Sequence, residues 1–230
     1  EDIFAAESTT TLEYLENYGF SEKIITNFFK PFFSGIFLET ALETSSRMFE
    51  FVFKMFATGS ALVPKNGISA IPIYLLNELK RTKINYNSKV QNIKNGTVFL
   101  EDGQAIAADY IIIATEPSAL ISNMRNQELA WRSCENLYFK VPKSKARKSI
   151  IHLLADENSL VNNFHFLPTE KESNEEVVSV TVLQNHNFSV ADLSEKVIRE
   201  LEQKCGIKGA TFLQYYPIKK ALPILDNLQY

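Results

Sequence analysis

Residues 90–120 read VQNIKNGTVFLEDGQAIAADYIIIATEPSAL, and the interpretation of the whole chain starts from them. The first half alternates apolar and polar residues around Asn95-Gly96 and Asp102-Gly103, pairs that are typical of tight hairpin turns. The second half contains YIIIA at residues 110–114, a continuous apolar run that predicts a parallel strand covered on both faces. The stretch therefore predicts a small antiparallel meander that leads into a buried parallel strand.

The sequence before this stretch has helical periodicity, with apolar residues three and four positions apart. In the second of its helices, we expect Pro31 to kink or end the helix and Gly35 to open a turn. The third helix is apolar nearly all round, so we expect it to be buried on both sides or to face a pocket. The fourth should bury its apolar stripe. The predicted helices begin at residues 8–11, Ser21, residues 44–46 and Ser69.

After residue 120 the pattern becomes mostly extended, apart from a short helix predicted at 117–124 and one amphipathic helix from Val190 to Cys205. Strands are predicted at 137–141, 148–154, 162–167, 177–183 and 210–216. The order of helices, meander, buried strand and antiparallel sheet predicts a mixed α/β and α+β fold.

Composition excludes several classes of protein. Apolar residues make up 45% of the 230 positions, charged residues 22%, and the net charge is −3. A nucleic-acid-binding surface would be basic, so no nucleic-acid partner is expected. No apolar run reaches the roughly 18–20 residues of a membrane helix. The two cysteines, Cys134 and Cys205, are expected to be reduced thiols, and a cytoplasmic location is predicted.

No catalytic motif stands out. The glycines never form the Gly-x-Gly-x-x-Gly spacing that lets a backbone approach a dinucleotide pyrophosphate. His152 and His165 lie in predicted strands and could meet across a sheet, although a structural role is favoured over metal binding or acid/base work. No metal site is predicted.

Phenylalanine is concentrated in one region, because nine of the 17 fall between Phe28 and Phe56. They form either a helical core or one wall of an apolar substrate cavity, and ligand pockets are mainly apolar and aromatic. The cavity hypothesis assigns substrate contact to Phe49, Phe53, Phe56 and Arg47. Glu39 is a further candidate for a polar contact, and a surface position stays open for Arg47.

The stretch at 90–120 resembles flavin amine oxidases and phytoene desaturase-like proteins, including the protoporphyrinogen oxidase type. In that family a V-x-x-I segment, a strand with Asp-Gly and an A-D-x-V-I-x-A-T-x-P element close the cofactor domain. ENLYFKV, VVSVTVLQ and QYYPIKKALPIL are similar, in the same order, to later segments of the family. The resemblance covers nearly the whole chain and implies part of a Rossmann-like FAD domain beside a substrate domain.

The resemblance also implies cofactor contacts. Val90 matches a valine whose backbone N–H and C=O meet the adenine of FAD, although an ordinary strand valine is an equal interpretation. Ala114, Thr115, Glu116 and Pro117 match the A-T-x-P element, and Gly67 matches a glycine that precedes a helix. Lys65-Asn66 replaces the glycine that is usual before it, which puts close cofactor approach there in doubt.

Four domain segments follow from this resemblance. We expect residues 1–62 to be the helical part of the substrate domain, 63–118 a partial FAD domain, 119–216 the substrate-domain sheet plus a helix and 217–230 a return segment towards the FAD domain. The Gly-rich fingerprint and the Gly-Asp flavin motif of the family are both missing, so we expect an internal fragment that binds FAD weakly or not at all and is inactive alone.

The implied function is oxidation or desaturation of a largely apolar small molecule, carotenoid-, porphyrinogen- or amine-like, by hydride transfer to FAD. The alternative is a non-catalytic protein-binding module of the GDP-dissociation-inhibitor variety, because one fold serves several functions. A lipid-soluble substrate would allow peripheral membrane contact, although no basic amphipathic helix supports it. The catalytic residues, the electron acceptor and the oligomeric state are not readable from the sequence.

Overall fold

The computed structural model describes residues 2–115, 120, 130–143, 150–168, 174–183 and 185–224. Contacts between Cα atoms divide the chain into two compact units, Glu1–Thr58 with Ala130–Tyr230 (unit 1) and Gly59–Leu129 (unit 2). The predicted domain boundaries refer to cofactor and substrate roles and stay a prediction. The mixed fold of helices and antiparallel sheets that the sequence predicts is confirmed.

Unit 1 begins with a 3-10 turn (Ile3–Ala5) and helix α1 (Thr11–Tyr18). The side chain of Thr10 accepts a hydrogen bond from the Glu13 backbone N–H at 3.1 Å, and Glu13 Oε2 accepts one from the Thr10 N–H at 3.1 Å. This reciprocal capping box satisfies two backbone donors that the helix leaves unpaired. Gly19 ends α1 in the left-handed region at φ 95°, as its position in the sequence predicts.

The Phe-rich segment runs through Pro31 without a break, so the helix does not end there, and the predicted alternative of a kink stays a prediction. Helix α2 (Glu22–Ile24) continues as a π-helical stretch (Ile25–Phe29) and then as α3 (Lys30–Phe37). The Lys30 N–H bonds to the Ile25 carbonyl, five residues back. This wider turn accommodates the proline, whose missing N–H and bulky ring would disturb a regular α-helix. The segment ends at Leu38, which adopts φ 56°.

Gly35 lies inside α3, so the predicted turn at this position is wrong. A Cβ atom at Gly35 would lie 2.8 Å from Asn162 Oδ1 and 2.8 Å from Asn163 Nδ2. Both asparagines belong to strand β6 (Val161–Phe166). Glycine therefore lets the backbone of α3 approach β6 closely, at some cost in helix propensity.

Helix α4 (Ser46–Thr58) completes the helical layer. Its start pairs with the segment before α1, since the Ser46 N–H bonds to the Thr9 carbonyl at 2.9 Å and Thr11 N–H to the Thr44 carbonyl at 2.8 Å. The helical core consists of Leu15, Ile25, Phe29, Phe33, Phe37, Leu42 and Phe49. Only Ser46 and Phe49 of α4 are buried, so burial on both sides, the first alternative predicted for this helix, is wrong within the described residues. The second alternative, that the helix faces a pocket, stays a prediction.

The rest of unit 1 is a five-stranded antiparallel sheet in the order β5-β6-β7-β4-β8. The remaining strands are β4 (Trp131–Pro142), β5 (His152–Leu153), β7 (Glu175–Val182) and β8 (Thr211–Pro223). Apolar side chains at alternate positions of the three central strands, among them Leu137, Phe139, Val178 and Val180, are buried, and α6 (Val190–Cys205) covers this face with Leu193, Val197 and Leu201. The bounds of α6 are those that the sequence predicts.

Unit 2 contains α5 (Ala70–Glu78) and a meander of β1 (Val90–Lys94), β2 (Thr97–Leu100) and β3 (Ala105–Ala107). Asn95 and Gly96 adopt φ 51° and 70°, as a two-residue hairpin turn requires, so this prediction is confirmed. The apolar stripe of α5 is exposed rather than buried, with Ile71, Leu75 and Leu79 each about half accessible or more.

The apolar run at residues 110–114 is the main departure from the predicted fold. It belongs to no strand, and the side chains of Tyr110 and Ile112 are each 92% exposed. A parallel strand takes its hydrogen bonds from neighbouring strands on either side. The described residues of unit 2 provide only the β1-β2-β3 meander, which does not pair with this run.

One ion pair joins the helices of unit 1 to its sheet. Arg132, at the start of β4, lies 3.5 Å from Glu39, and the two side chains are only 11% and 12% exposed. Arg132 also donates to the Phe37 carbonyl and to Thr44 Oγ1, each at 3.1 Å. Glu39 in turn accepts from the Thr44 N–H at 3.1 Å and the Ala41 N–H at 2.8 Å. The loop between α3 and α4 is thus folded around this pair.

We predict that Arg132→Met lowers the free energy of unfolding by about 2–4 kcal/mol, because it leaves the Glu39 carboxylate buried without its cation. Urea denaturation measures the effect. Arg199→Met on the exposed side of α6 is the control, where the ion pair with Glu195 is 68% exposed on both sides and a change within about 0.5 kcal/mol is expected. Equal effects of the two substitutions would contradict the structural role given to Arg132.

Candidate functional site

The face of the five-stranded sheet opposite α6 carries a regular array of polar side chains. On β4, Leu137 and Phe139 point to the core, so Asn136 and Tyr138 point to the other face. The strand register continues this alternation across four strands. One row consists of Gln214, Tyr138, Ser179 and His165, and the next of Tyr216, Asn136, Thr181 and Asn163. We call these eight residues the polar face.

The polar face offers hydrogen-bonding groups without formal charge. Ser179, which is only 2% exposed, donates from Oγ to Asn136 Oδ1 at 3.0 Å. Asn163 Nδ2 donates to Asn162 Oδ1 at 2.8 Å, beside the closely approaching backbone of Gly35. The array contains no Asp, Glu, Lys or Arg. A ligand on this face would therefore meet amides, hydroxyls, two tyrosines and an imidazole.

His165 is half-buried within the polar face. Burial lowers the pKa of its imidazole below the ordinary value of 6.5, because desolvation disfavours the charged form. The neutral ring can donate from one nitrogen and accept at the other. The predicted meeting of His165 with His152 is wrong, because β5 places His152 opposite Phe164, whose side chain points to the core face. His152 stacks flat on Phe164 with ring centroids 4.5 Å apart.

His186 has a structural role on the connection between β7 and α6. Its Nδ1 accepts from the Phe188 N–H at 3.3 Å, so Nε2 carries the proton and donates to Glu135 at 2.6 Å. The other oxygen of Glu135 accepts from the Tyr215 hydroxyl at 2.6 Å. Burial and this carboxylate together raise the pKa of Tyr215 to about 12.

Half-exposed phenylalanines form a second surface on the helical layer, which we call the aromatic wall: Phe28, Phe32, Phe53 and Phe56. Phe53 and Phe56 are 44% and 48% exposed. Their rings lie 5.7 Å from Phe49 and 5.5 Å from Phe32, respectively. Of the predicted substrate residues, Phe49 belongs to the core and is 4% exposed, whereas Phe53 and Phe56 present their rings to the surface.

Arg47 lies in the first turn of α4 and is partly buried. Its Nε atom is buried and has no hydrogen-bond partner within the described residues. The substrate role predicted for Arg47 stays a prediction. Glu39, the second predicted polar contact, is engaged with Arg132 and Thr44 instead, so it holds the loop together.

The predicted cofactor residues lie in unit 2. Val90 is half-buried in β1, an edge strand of the meander, next to an irregularity in its pairing with β2. Gly67 occupies an exposed turn at φ 80° with open space where a Cβ would lie. Ala114 is the last residue of the run that forms no strand and Thr115 follows it, and both are exposed, so their expected place at the end of a buried strand is wrong. Glu116 and Pro117 lie outside the described residues.

A comparison with protein families shows to which family the chain is related. The family model described as flavin containing amine oxidoreductase matches residues 4–208. The chain belongs to this family. No curated protein matches the sequence. A likeness of fold exists to the crystal structure of the PF1083 protein from Pyrococcus furiosus, at 13% identity and a TM-score of 0.72.

The chain is 95% covered in that comparison but spans only 59% of the solved protein. The broad family that the sequence resembles is thereby confirmed, and the phytoene desaturase-like subfamily stays a prediction. The polar face was not predicted from the sequence. The alternation within ENLYFKV (residues 135–141) and NNFHF (residues 162–166) was available as a signal, but only the strand register aligns these residues in rows.

We predict that the pH dependence of stability contains a contribution from His165. Its folded-state pKa is lowered, so its contribution is present above the unfolded value of 6.5 and is lost as the pH falls through the folded-state pKa. Urea midpoints should fall as the pH drops below about 6.5, and His165→Gln should flatten this dependence. An NMR titration of the His165 ring proton with a pKa at or above 6.5 would contradict the assignment.

Proposed function

We propose that this chain supplies the substrate side of an FAD-dependent oxidoreductase that oxidises or desaturates a largely apolar small molecule. The observation that carries the proposal is the aromatic wall of half-exposed rings in the same unit as an uncharged polar face. Membership of the flavin containing amine oxidoreductases supports flavin chemistry in the complete protein. Apolar linings with a few polar groups are typical of small-molecule sites.

In this proposal, the aromatic wall and the polar face contact different parts of the substrate. Phe53 and Phe56 cover the apolar body of the substrate, which contributes most of the binding energy. Asn136 and Tyr138 hydrogen-bond to its polar part, and the buried Ser179 holds Asn136 in place through its hydrogen bond. Since the polar face has no charged side chain, it favours an uncharged group, because burying an unpaired charge is costly. Within the predicted set of carotenoid-, porphyrinogen- and amine-like compounds, the proposal favours those whose polar part is uncharged.

The residues of unit 2 fit only part of FAD. An edge strand such as β1 presents a backbone donor and acceptor near Val90, which suits an adenine ring. The open turn at Gly67 has no side chain that would obstruct a ligand. The sequence contains no Gly-x-Gly-x-x-Gly for the pyrophosphate. FAD bound in the complete protein would accept the hydride, and this chain would orient the substrate.

The alternative is a protein-binding module of the same fold without redox chemistry. The exposed apolar residues of unit 2, among them Leu62, Val63, Ile68 and Tyr74, favour it, because large exposed apolar patches are typical of interaction sites. Experiments on the full-length protein distinguish the oxidoreductase from the protein-binding module. Purified protein with stoichiometric flavin that a small apolar substrate reduces supports the oxidoreductase, and a colourless protein that retains a protein partner supports the alternative.

No helix in the described part of the chain is long and apolar enough to cross a bilayer. Peripheral membrane contact and a cytoplasmic location stay predictions.

We predict that Phe53→Ala or Phe56→Ala weakens binding of the apolar substrate in the full-length protein by about tenfold, which corresponds to the loss of one covered ring. The rise of KM in anaerobic flavin reduction measures it. Phe51→Ala is the matched control on the same helix, because Phe51 is 38% exposed but contacts Phe4, with ring centroids 5.8 Å apart. Equal effects of all three substitutions would contradict the role of the aromatic wall in binding the substrate.

We also predict that the 230 residues alone bind FAD weakly, because they lack the glycine-rich pyrophosphate loop. Titration of FAD with flavin fluorescence as the readout measures the affinity. Tight, stoichiometric binding would contradict this expectation and would place the main phosphate contacts within this chain.

A further inference from the structure

The outer side of α4 carries an exposed apolar stripe that shares no residue with the aromatic wall. Met48, Phe51 and Met55 follow one another at intervals of three and four residues, so they lie along one side of the helix. Their side chains are 38%, 38% and 47% exposed. Val52, which lies between them, is partly buried and packs against the helical core. The stripe is therefore supported by the core and open to solvent.

Phe4 extends the stripe beyond α4. Its ring centroid lies 5.8 Å from that of Phe51, and its side chain is 54% exposed. The 3-10 turn that carries Phe4 is capped by Asp2, whose Oδ1 accepts from the Phe4 N–H at 3.1 Å. We call Phe4, Met48, Phe51 and Met55 the outer face of α4. Exposed methionines next to aromatic rings are typical of surfaces that bind other proteins, because the thioether side chain adapts its shape to the partner.

Two cations border the outer face. Arg47 and Lys54 are seven residues apart, and the helical rotation of about 100° per residue places them next to Phe51, on the side away from the methionines. In the part of the chain that the structure describes, neither cation forms an ion pair. The carboxylate of the same helix, Glu50, instead accepts from the Tyr14 hydroxyl at 2.7 Å. This edge of the outer face is therefore positively charged.

The charges distinguish between three kinds of occupant. A second copy related by a two-fold axis would pack α4 antiparallel to itself, with Arg47 and Lys54 on the same side as their copies, so that like charges meet. An anionic bilayer is usually held by clusters of about four to eight basic residues, whereas α4 contains two. A helix with acidic residues beside its apolar stripe complements both the outer face and its positive edge.

We propose that the outer face of α4 docks an acidic amphipathic helix of another protein. Apolar residues three and four positions apart on that helix cover the stripe, and the ring of Phe4 adds to the contact. Asp or Glu residues seven positions apart on the partner pair with Arg47 and Lys54. This inference does not rest on flavin chemistry, and peptide binding tests it separately from the proposed function.

Two substitutions remove the apolar and the charged part of the contact separately. Met55→Ser should weaken binding of such a helix by about tenfold, the loss of one covered apolar side chain. Lys54→Glu should weaken it by about three- to tenfold, because it removes an attraction and adds a repulsion. Added salt should weaken binding to the native chain more than binding to Lys54→Glu, since salt screens exposed charges. Both side chains are exposed, so folded variants are expected.

Fluorescence anisotropy on the full chain tests the proposal. The probe is a labelled peptide of about 20 residues, with leucine at helical spacing and glutamate in the flanking positions. A scrambled peptide of the same composition tests the pattern, and a peptide with lysine in place of glutamate tests the sign of the charge. The control variants Lys208→Glu and Leu213→Ser change an exposed cation and an exposed apolar side chain outside α4. Circular dichroism verifies that each variant is folded.

The expected result is saturable binding of the patterned acidic peptide, about tenfold or more tighter than binding of the scrambled and lysine peptides. Met55→Ser and Lys54→Glu reduce this binding, and both control variants retain it. Absence of binding, equal binding of the three peptides, or equal losses in the control variants would overturn the proposal.

Two further measurements separate the other occupants. Binding to vesicles of phosphatidylcholine with phosphatidylserine that Met55→Ser abolishes would assign the outer face to a membrane. A dimer in analytical ultracentrifugation that the same substitution dissociates would assign it to a second copy. Either result would overturn the proposal, and a monomer that does not bind these vesicles supports it.

Discussion

The pairing of Arg132 with Glu39 is the constraint on which the arrangement of unit 1 depends. Two charged side chains are nearly excluded from water, so each requires the other and several backbone groups to offset its lost hydration. Their shared partner, Thr44, lies just before α4, and the Phe37 carbonyl ends α3. The pair therefore fixes α3 and α4 relative to the start of strand β4.

The consequences of this constraint reach both candidate surfaces. The helices that carry the aromatic wall can only be placed where their connecting loop meets β4. Along α3, Gly35 allows close contact with the asparagines of β6, and near the start of the helix the Pro31 carbonyl accepts from Asn162 Nδ2 at 3.3 Å. Helices and sheet are thus fastened at two points.

Much of the local structure could be predicted because its causes are local. A capping box, a turn glycine and an amphipathic period of 3.6 residues define α1 and α6, and Asn95-Gly96 defines the hairpin. The π-helical turn before Pro31 could not be predicted in this way, since a proline inside a helical pattern is compatible with a break, a kink or a widened turn.

Burial was harder to predict than secondary structure, because apolar character shows what a side chain prefers and not which neighbour covers it. The run at 110–114 and the stripe of α5 are apolar, yet the described residues leave them exposed. The polar face was missed for a related reason. Single residues such as Asn136, Ser179 and His165 look unremarkable along the chain, and only the pairing of three strands brings them into rows.

Alternation along β4 links the core and the polar face in one further respect. Leu137 and Phe139 fill the interior, while Asn136 and Tyr138 between them face outwards. Inserting or deleting one residue within this strand would exchange the two sets and expose hydrophobic side chains to water. Evolution can therefore diversify this surface by replacing side chains in place, whereas changes of strand length are confined to the ends and the connecting loops.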